Sequence, residues 1–124
     1  MTTVLALDLG TSGCKASLFE QDGVALAECF VPYETRHPRA GWHEQRPVDW
    51  WNAVVTSVQK LGAEASEGVR RLAVCALSGQ SLALVPVDAE GELLSSTVSR
   101  SGPTHARRSR HAASSPRCQS RSGI

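Results

Sequence analysis

The stretch Val4–Gly23, VLALDLGTSGCKASLFEQDG, decides how the chain is read. Val4-Leu5-Ala6-Leu7 is an apolar run suited to a buried strand, and it ends in Asp8. Gly10-Thr11-Ser12-Gly13 follows as a tight turn, which glycine permits. Cys14 to Phe19 alternates weakly as a second strand, Gln21-Asp22-Gly23 supplies another turn, and Val24 to Val31 reads as a third strand. The expectation is an antiparallel meander with a carboxylate and a glycine hairpin at one end.

Outward from this meander, Pro32 to Pro47 holds three prolines and many polar residues around Gly41-Trp42-His43-Glu44-Gln45, and reads as an ordered loop or lid. Pro47 suits the first turn of a helix, where its missing N–H is not needed, and Asp49 favours the positive end of the helix dipole. Trp51, Val54, Val55, Val58 and Leu61 recur at helical spacing and mark a face for packing on the sheet. Trp50 and Trp51 are assigned to core packing. Arg70 to Leu77 and Leu82 to Val87 read as two further strands, separated by Ser78-Gly79-Gln80-Ser81. The predicted class is α/β with the order β-β-β-α-β-β.

With 124 residues and 41% hydrophobic content, the chain is one small domain or a piece of a larger one. Its longest apolar run is far below the length that crosses a bilayer, which excludes a transmembrane reading. The start has no cationic n-region and meets Asp8 after four apolar residues, so a secretory leader is not expected and a cytoplasmic location is. Cys14, Cys29, Cys75 and Cys118 form no C-x-x-C pair, and neither a disulfide framework nor a zinc site is expected.

The near-neutral total charge hides an uneven distribution. Residues 1–98 carry all 12 acids and seven bases, a net charge of −5, whereas residues 99–124 carry six arginines and no acid. Past Val98 the only large aliphatic residue is Ile124, leaving little apolar area to offset ordering entropy. The organisation expected is a folded part at 1–98 and a disordered Arg/Ser-rich tail at 99–124.

Several residues carry possible chemistry beside a plain structural reading. Asp8 with Gly10, Thr11 and Ser12 places a strand-end carboxylate beside N–H groups and hydroxyls that could converge on phosphate, with Asp8 holding Mg²⁺ through water. The alternative is an ordinary glycine hairpin. Lys15 could face phosphate or simply be solvated. Trp42 with His43 and Glu44 could line a polyol pocket, an aromatic face covering sugar C–H groups while the carboxylate and imidazole bond hydroxyls, or Trp42 could anchor its own loop. Gln80 can donate and accept at once, which suits a hydroxylated ligand or a turn bonding its own backbone. His37, His105 and His111 have no partner at metal-ligand spacing.

Taken in order, LALDLGTSGCKASLFEQDG, GWHEQRPVDWW and LSGQSLALVPVDAEGELL resemble the N-terminal domain of the FGGY carbohydrate kinases, close to the xylulose-kinase-like members, over about residues 3–98. The resemblance implies a partial actin-like, ribonuclease-H-like fold and transfer of the ATP γ-phosphate to a sugar or polyol hydroxyl with Mg²⁺. It makes Asp8 the carboxylate of the metal region and Gly10, Thr11 and Ser12 the phosphate-facing hairpin. Lys15 falls on a basic position common among those members. Gln80 and Ser81 fall where the pentulose kinases carry Gln-Met-His-Gly beside the sugar. Here the run is Gln80-Ser81-Leu82-Ala83, and an apolar Leu82 cannot supply the hydrogen bonds of imidazole, which speaks against D-xylulose. The resemblance puts the catalytic Asp and the adenosine site beyond residue 124, so no catalytic residue is assigned and this polypeptide alone is expected to be inactive.

The family continues past this point with a segment like Pro-Ile-Trp-x-Asp-x-Arg. Arg100 to Ala106 can be back-translated so that a reading one base earlier gives Pro-Ile-Trp-Ser-Asp-Thr-Arg. Only Gly102, Thr104 and Ala106, whose codons supply the last two bases of the Trp, Asp and Arg codons, carry weight. A displaced frame near codon 99 explains the charge jump, the missing hydrophobic residues and the length together. The competing readings are another actin-like ATPase module and a small protein binding anions or nucleic acid through its basic tail. The latter explains only the arginines, and nucleic acid is not the expected partner.

Overall fold

A computed structural model describes residues 1–95 and the backbone of residues 98–100. Four strands form the main sheet: β1 (Thr3–Leu9), β2 (Gly13–Glu20), β3 (Ala25–Pro32) and β5 (Leu72–Gly79). Its order is β3-β2-β1-β5. The first three strands are the expected antiparallel meander, with Leu5 opposite Leu18 and Leu7 opposite Ala16. The chain then crosses over through α1 (Pro47–Glu64) and α2 (Ser66–Arg70), so that β5 returns parallel to β1. The class is α/β, as the sequence indicates.

Helix α1 lies on β2 and β3. The core between them is Leu5, Leu7, Cys14, Ala16, Leu18 and Ala27 from the sheet and Ala53 and Leu61 from the helix. Odd-numbered residues of β1 face this core and even-numbered ones face away, as strand geometry requires. Helix α1 is rotated relative to the stripe read from hydrophobicity. Ala53, Ser57 and Leu61 are buried and Val54 and Val58 pack at their side, whereas Trp51 is 67% exposed and Val55 is also exposed. Small residues at the contact let the helix approach the sheet. The assignment of Trp51 to core packing is therefore corrected.

Gly68 in α2 lies close against the sheet. A Cβ there would lie 2.7 Å from Leu18 Cδ2 and 2.9 Å from Leu26 Cδ1. Thr3 Oγ1 donates to the Gly68 carbonyl at 2.6 Å, and Thr3 N–H donates to Arg71 O at 3.0 Å. Arg71 in turn pairs with Glu20 at 2.9 Å. These contacts bind the crossover to the base of the meander.

Three further details depart from the sequence reading. Within the proline-rich loop, His43–Gln45 forms a short strand, β4, whose backbone pairs antiparallel with β6 (Val98–Arg100). Leu82 to Val87 forms no strand; Val87 makes an isolated bridge to Leu93. Pro86 lacks the N–H that a ladder would use, and Leu82, Leu84, Val85 and Val87 are exposed. Strand β6 takes in Ser99 and Arg100, the first two residues of the segment expected to be disordered, while residues 101–124 lie outside the described residues.

Cys14, Cys29 and Cys75 are free thiols, and Cys118 lies outside the described residues. Burial pushes the Cys14 thiol above its ordinary range. Among the described residues no helix is long and apolar enough to cross a membrane.

Candidate functional site

Strand alternation places Asp8, Lys15 and Ser78 in one row on the sheet face opposite α1. Asp8 is the register partner of both Lys15 on β2 and Ser78 on β5. The row borders a cavity of about 330 Å³ whose lining includes Asp8, Lys15, Ser17, Glu28, Ala76 and Ser78. Ser17 Oγ donates to Glu28 Oε1 at 3.0 Å, and Lys15 Nζ lies 4.0 Å from the same oxygen. Lys15 thus shares the Asp8 face while its ammonium leans toward Glu28. Among the described residues, no group of three His, Cys, Asp or Glu residues could hold a metal ion. A carboxylate acting on a hydrated cation, as read for Asp8, needs no such group.

The Gly10–Gly13 hairpin is closed by Gly10 N–H donating to Gly13 O at 3.0 Å. Its other carbonyls are held by the chain that follows β3. Tyr33 Oη donates to Gly10 O, and Tyr33 N–H donates to Ser12 O at 3.2 Å. Thr11 O accepts from Gln45 Nε2 at 2.8 Å and from Thr35 Oγ1 at 3.3 Å. Thr11 and Ser12 themselves remain exposed.

Gln45 was given no separate role by the sequence reading, yet it occupies the centre of this arrangement. It is 1% exposed, donates to Thr11 O and to Thr35 Oγ1 (2.6 Å), and accepts from Trp50 Nε1 at 3.1 Å and from Gln80 Nε2 at 2.7 Å. The Gly10–Gly13 hairpin and the turn after β5 are joined through one side chain. Gln80 N–H also donates to Leu9 O at 2.8 Å, which carries the β1–β5 pairing one residue further. Ser81 follows as an exposed residue, and Leu82 takes a left-handed backbone with φ 67°.

Trp42 is placed differently. Its N–H donates to Arg39 O at 3.0 Å, and the Arg39 guanidinium lies 5.4 Å from the ring centroid, so the ring anchors its own loop. The Glu44 backbone pairs with Arg36 in both directions at 2.8 and 2.9 Å, and strand alternation puts its side chain opposite to Gln45. The structure therefore joins Gly10, Thr11 and Ser12 to Gln80, groups Asp8 with Lys15, and holds Trp42 by contacts within its loop.

The family model for the N-terminal domain of the FGGY family of carbohydrate kinases matches residues 3–117. The chain belongs to this family. A xylulose kinase of Lactococcus lactis is 36% identical over 88 residues, 71% of this chain and 18% of the relative. A glycerol kinase of Haloarcula marismortui is 30% identical over 89 residues, 72% of this chain and 18% of the relative. Among solved structures, a xyloylose kinase from Brucella ovis superposes with a TM-score of 0.74 at 31% identity, covering 77% of this chain and 20% of that one. The FGGY chain described here thus spans about a fifth of the length of the relatives it matches.

Proposed function

We propose that this chain contributes the phosphate-facing hairpin and one wall of the acceptor site of an ATP-dependent sugar or polyol kinase. The observation that carries the reading is the Gln45 junction, which holds the Thr11–Ser12 hairpin and the Gln80–Ser81 turn in one frame. Phosphoryl transfer is mostly positioning and electrostatic stabilisation, so a rigid spacing between phosphate and hydroxyl is what such a wall must supply.

ATP and Mg²⁺ fit the residues present. Asp8 is exposed at the end of β1, and Mg²⁺ keeps several waters and takes one or two carboxylates beside phosphate oxygens. Bound there, the metal would neutralise charge on the phosphates. Thr11 and Ser12 would bond phosphate oxygens through their hydroxyls, and Lys15 would add a cation on the Asp8 face. Gln80 and Ser81 would meet the sugar, whereas Trp42, held within its own loop, and Glu44, turned opposite to Gln45, stand apart from that wall. The run Gln80-Ser81-Leu82 offers no imidazole, and D-xylulose is a poor substrate in this reading.

The groups that activate the hydroxyl and bind adenosine lie outside this chain, so the polypeptide alone is inactive. The basic segment 99–124 is read as the product of a displaced frame, and the protein as cytoplasmic. A coupled ADP-release assay on the pure 124-residue chain with D-xylulose, glycerol or gluconate tests the first point: no sugar-dependent release is expected, and measurable release overturns it. Sequencing the genomic DNA from codon 90 to several hundred bases beyond codon 124 tests the second. An adjacent frame continuing as Pro-Ile-Trp-x-Asp-x-Arg supports it, and the lack of one removes it.

A further inference from the structure

The Gln45 side chain uses its whole hydrogen-bonding capacity: two N–H donors to Thr11 O and Thr35 Oγ1, two acceptor positions to Trp50 Nε1 and Gln80 Nε2. Two of these partners allow only one orientation of the amide. A backbone carbonyl can only accept, so Thr11 O must face the Gln45 nitrogen. An indole N–H can only donate, so Trp50 must face the Gln45 oxygen. The two constraints act independently and agree, which removes the usual ambiguity between amide oxygen and nitrogen.

The consequence passes to Gln80. The atom it meets on Gln45 is an oxygen, so Gln80 must turn its NH₂ inward and leave Oε1 on the other side. That Oε1 is buried and has no hydrogen-bond partner among the described residues. A buried acceptor left unmade is costly and calls for a donor. Two residues later, Leu82 holds a left-handed backbone that a side-chain-bearing residue rarely adopts, the kind of strain that gathers at ligand-holding turns.

We propose that Gln45 is a positioning residue that fixes the Gln80 amide so that its oxygen receives a hydroxyl of the polyhydroxylated substrate. The proposal rests on the sugar-kinase reading and deepens it. It sets a chemical rule for this subsite: the substrate position that meets Gln80 must carry a donor, and a carbonyl or carboxylate oxygen there is rejected. Through Thr11 O, the same side chain also ties that hydroxyl position to the phosphate hairpin.

Side-chain amide NMR of the ¹⁵N-labelled 124-residue chain tests this in two stages. In the free chain, the Gln80 NH₂ protons are expected to exchange more slowly than those of exposed Gln21 and Gln59. Gln80→Met is expected to shift the Trp50 indole N–H resonance, since both groups share the Gln45 oxygen. Free exchange at Gln80 together with an unmoved Trp50 resonance overturns the positioning role without reference to any ligand. In the second stage, glycerol, which carries a hydroxyl on every carbon, is expected to move the Gln80 amide resonances. Gln45→Met is expected to weaken that response about tenfold with the backbone spectrum still folded.

Glycerol shifts that avoid Gln80, or that persist unchanged in folded Gln45→Met, overturn the proposal. Should Gln45→Met fail to fold, Gln80→Met, which leaves three of the four Gln45 bonds in place, decides by whether glycerol still moves the backbone amides of residues 80–82, as it is expected to do only with Gln80 intact. Tripolyphosphate with Mg²⁺ serves as a separate probe. If it moves the Thr11 and Ser12 resonances while glycerol moves none, the Gln80 proposal fails and the phosphate half of the kinase reading stands. If neither probe moves any resonance, the kinase reading fails and takes the substrate half of this proposal with it.

Discussion

Gly68 lies so close to Leu18 that a Cβ on it would stand 2.7 Å from Leu18 Cδ2, and Leu18 is fully buried at the centre of the core. Helix α2 can carry the chain back to β5 only because this position has no side chain. Gly68→Ala should therefore destabilise the fold by about 1–3 kcal/mol, the range for overpacking a well-filled interior. The urea midpoint should fall. Gly62, beside which a Cβ would meet no atom within 4 Å, should gain slightly on the same substitution, because alanine is the better helix former.

Gln45→Leu removes all four side-chain bonds of the junction and leaves several polar groups unpaired. The expected cost is about 3 kcal/mol, on the basis of roughly 1–3 kcal/mol for each buried group left unsatisfied, partly offset by water. Trp50→Phe removes the indole donor together with part of the ring's packing, and should cost about 1–2 kcal/mol. Equilibrium unfolding of both variants should rank them in that order.

All eight residues of β5 are exposed, Leu77 by 68%, and the strand is an uncharged edge beside β1. Such an edge pairs readily with other chains. Sedimentation velocity should find concentration-dependent self-association of the pure chain, and Leu77→Lys should reduce it. A chain that stays monomeric at every concentration contradicts this.

Burial separates the thiols in reactivity. In a Cys118→Ser background, iodoacetamide at mildly alkaline pH should modify exposed Cys75 first and Cys14 only after unfolding. Because the Cys14 thiol is raised in the folded state, its contribution is fully present below the ordinary thiol range. It is lost as pH climbs through and beyond that range, since the unfolded chain ionises first. Cys14→Ala should flatten the loss of stability on the alkaline side, as read from urea midpoints against pH.

The meander, the crossover helix and the hairpin were legible because they rest on local signals: an apolar run ending in Asp8, glycines at Gly10 and Gly13, and Pro47 opening a helix. What escaped the sequence depends on neighbours. Strand β4 has three residues, too few for alternation to register, and its partner lies more than fifty residues away. Leu82 to Val87 alternates like a strand but is assigned only isolated bridges, at Ala83 and at Val87, the latter to Leu93. The helix stripe was misplaced because hydrophobicity favours Trp51 and Val55, while close approach to the sheet favours Ala53 and Ser57. Of the site, the hairpin and Gln80 were visible as motifs. Gln45 was not, since nothing in an isolated glutamine signals that four segments converge on it.

The central claim is that the Gly10–Ser12 hairpin is a phosphate-facing element of a sugar kinase. It is tested most directly by titrating the ¹⁵N-labelled chain with Mg²⁺ and tripolyphosphate while following backbone amides. The account predicts saturable shifts concentrated at Thr11, Ser12 and Asp8, weakened at least tenfold in Asp8→Asn. Shifts confined to residues 99–124, or a hairpin that does not respond, would contradict it.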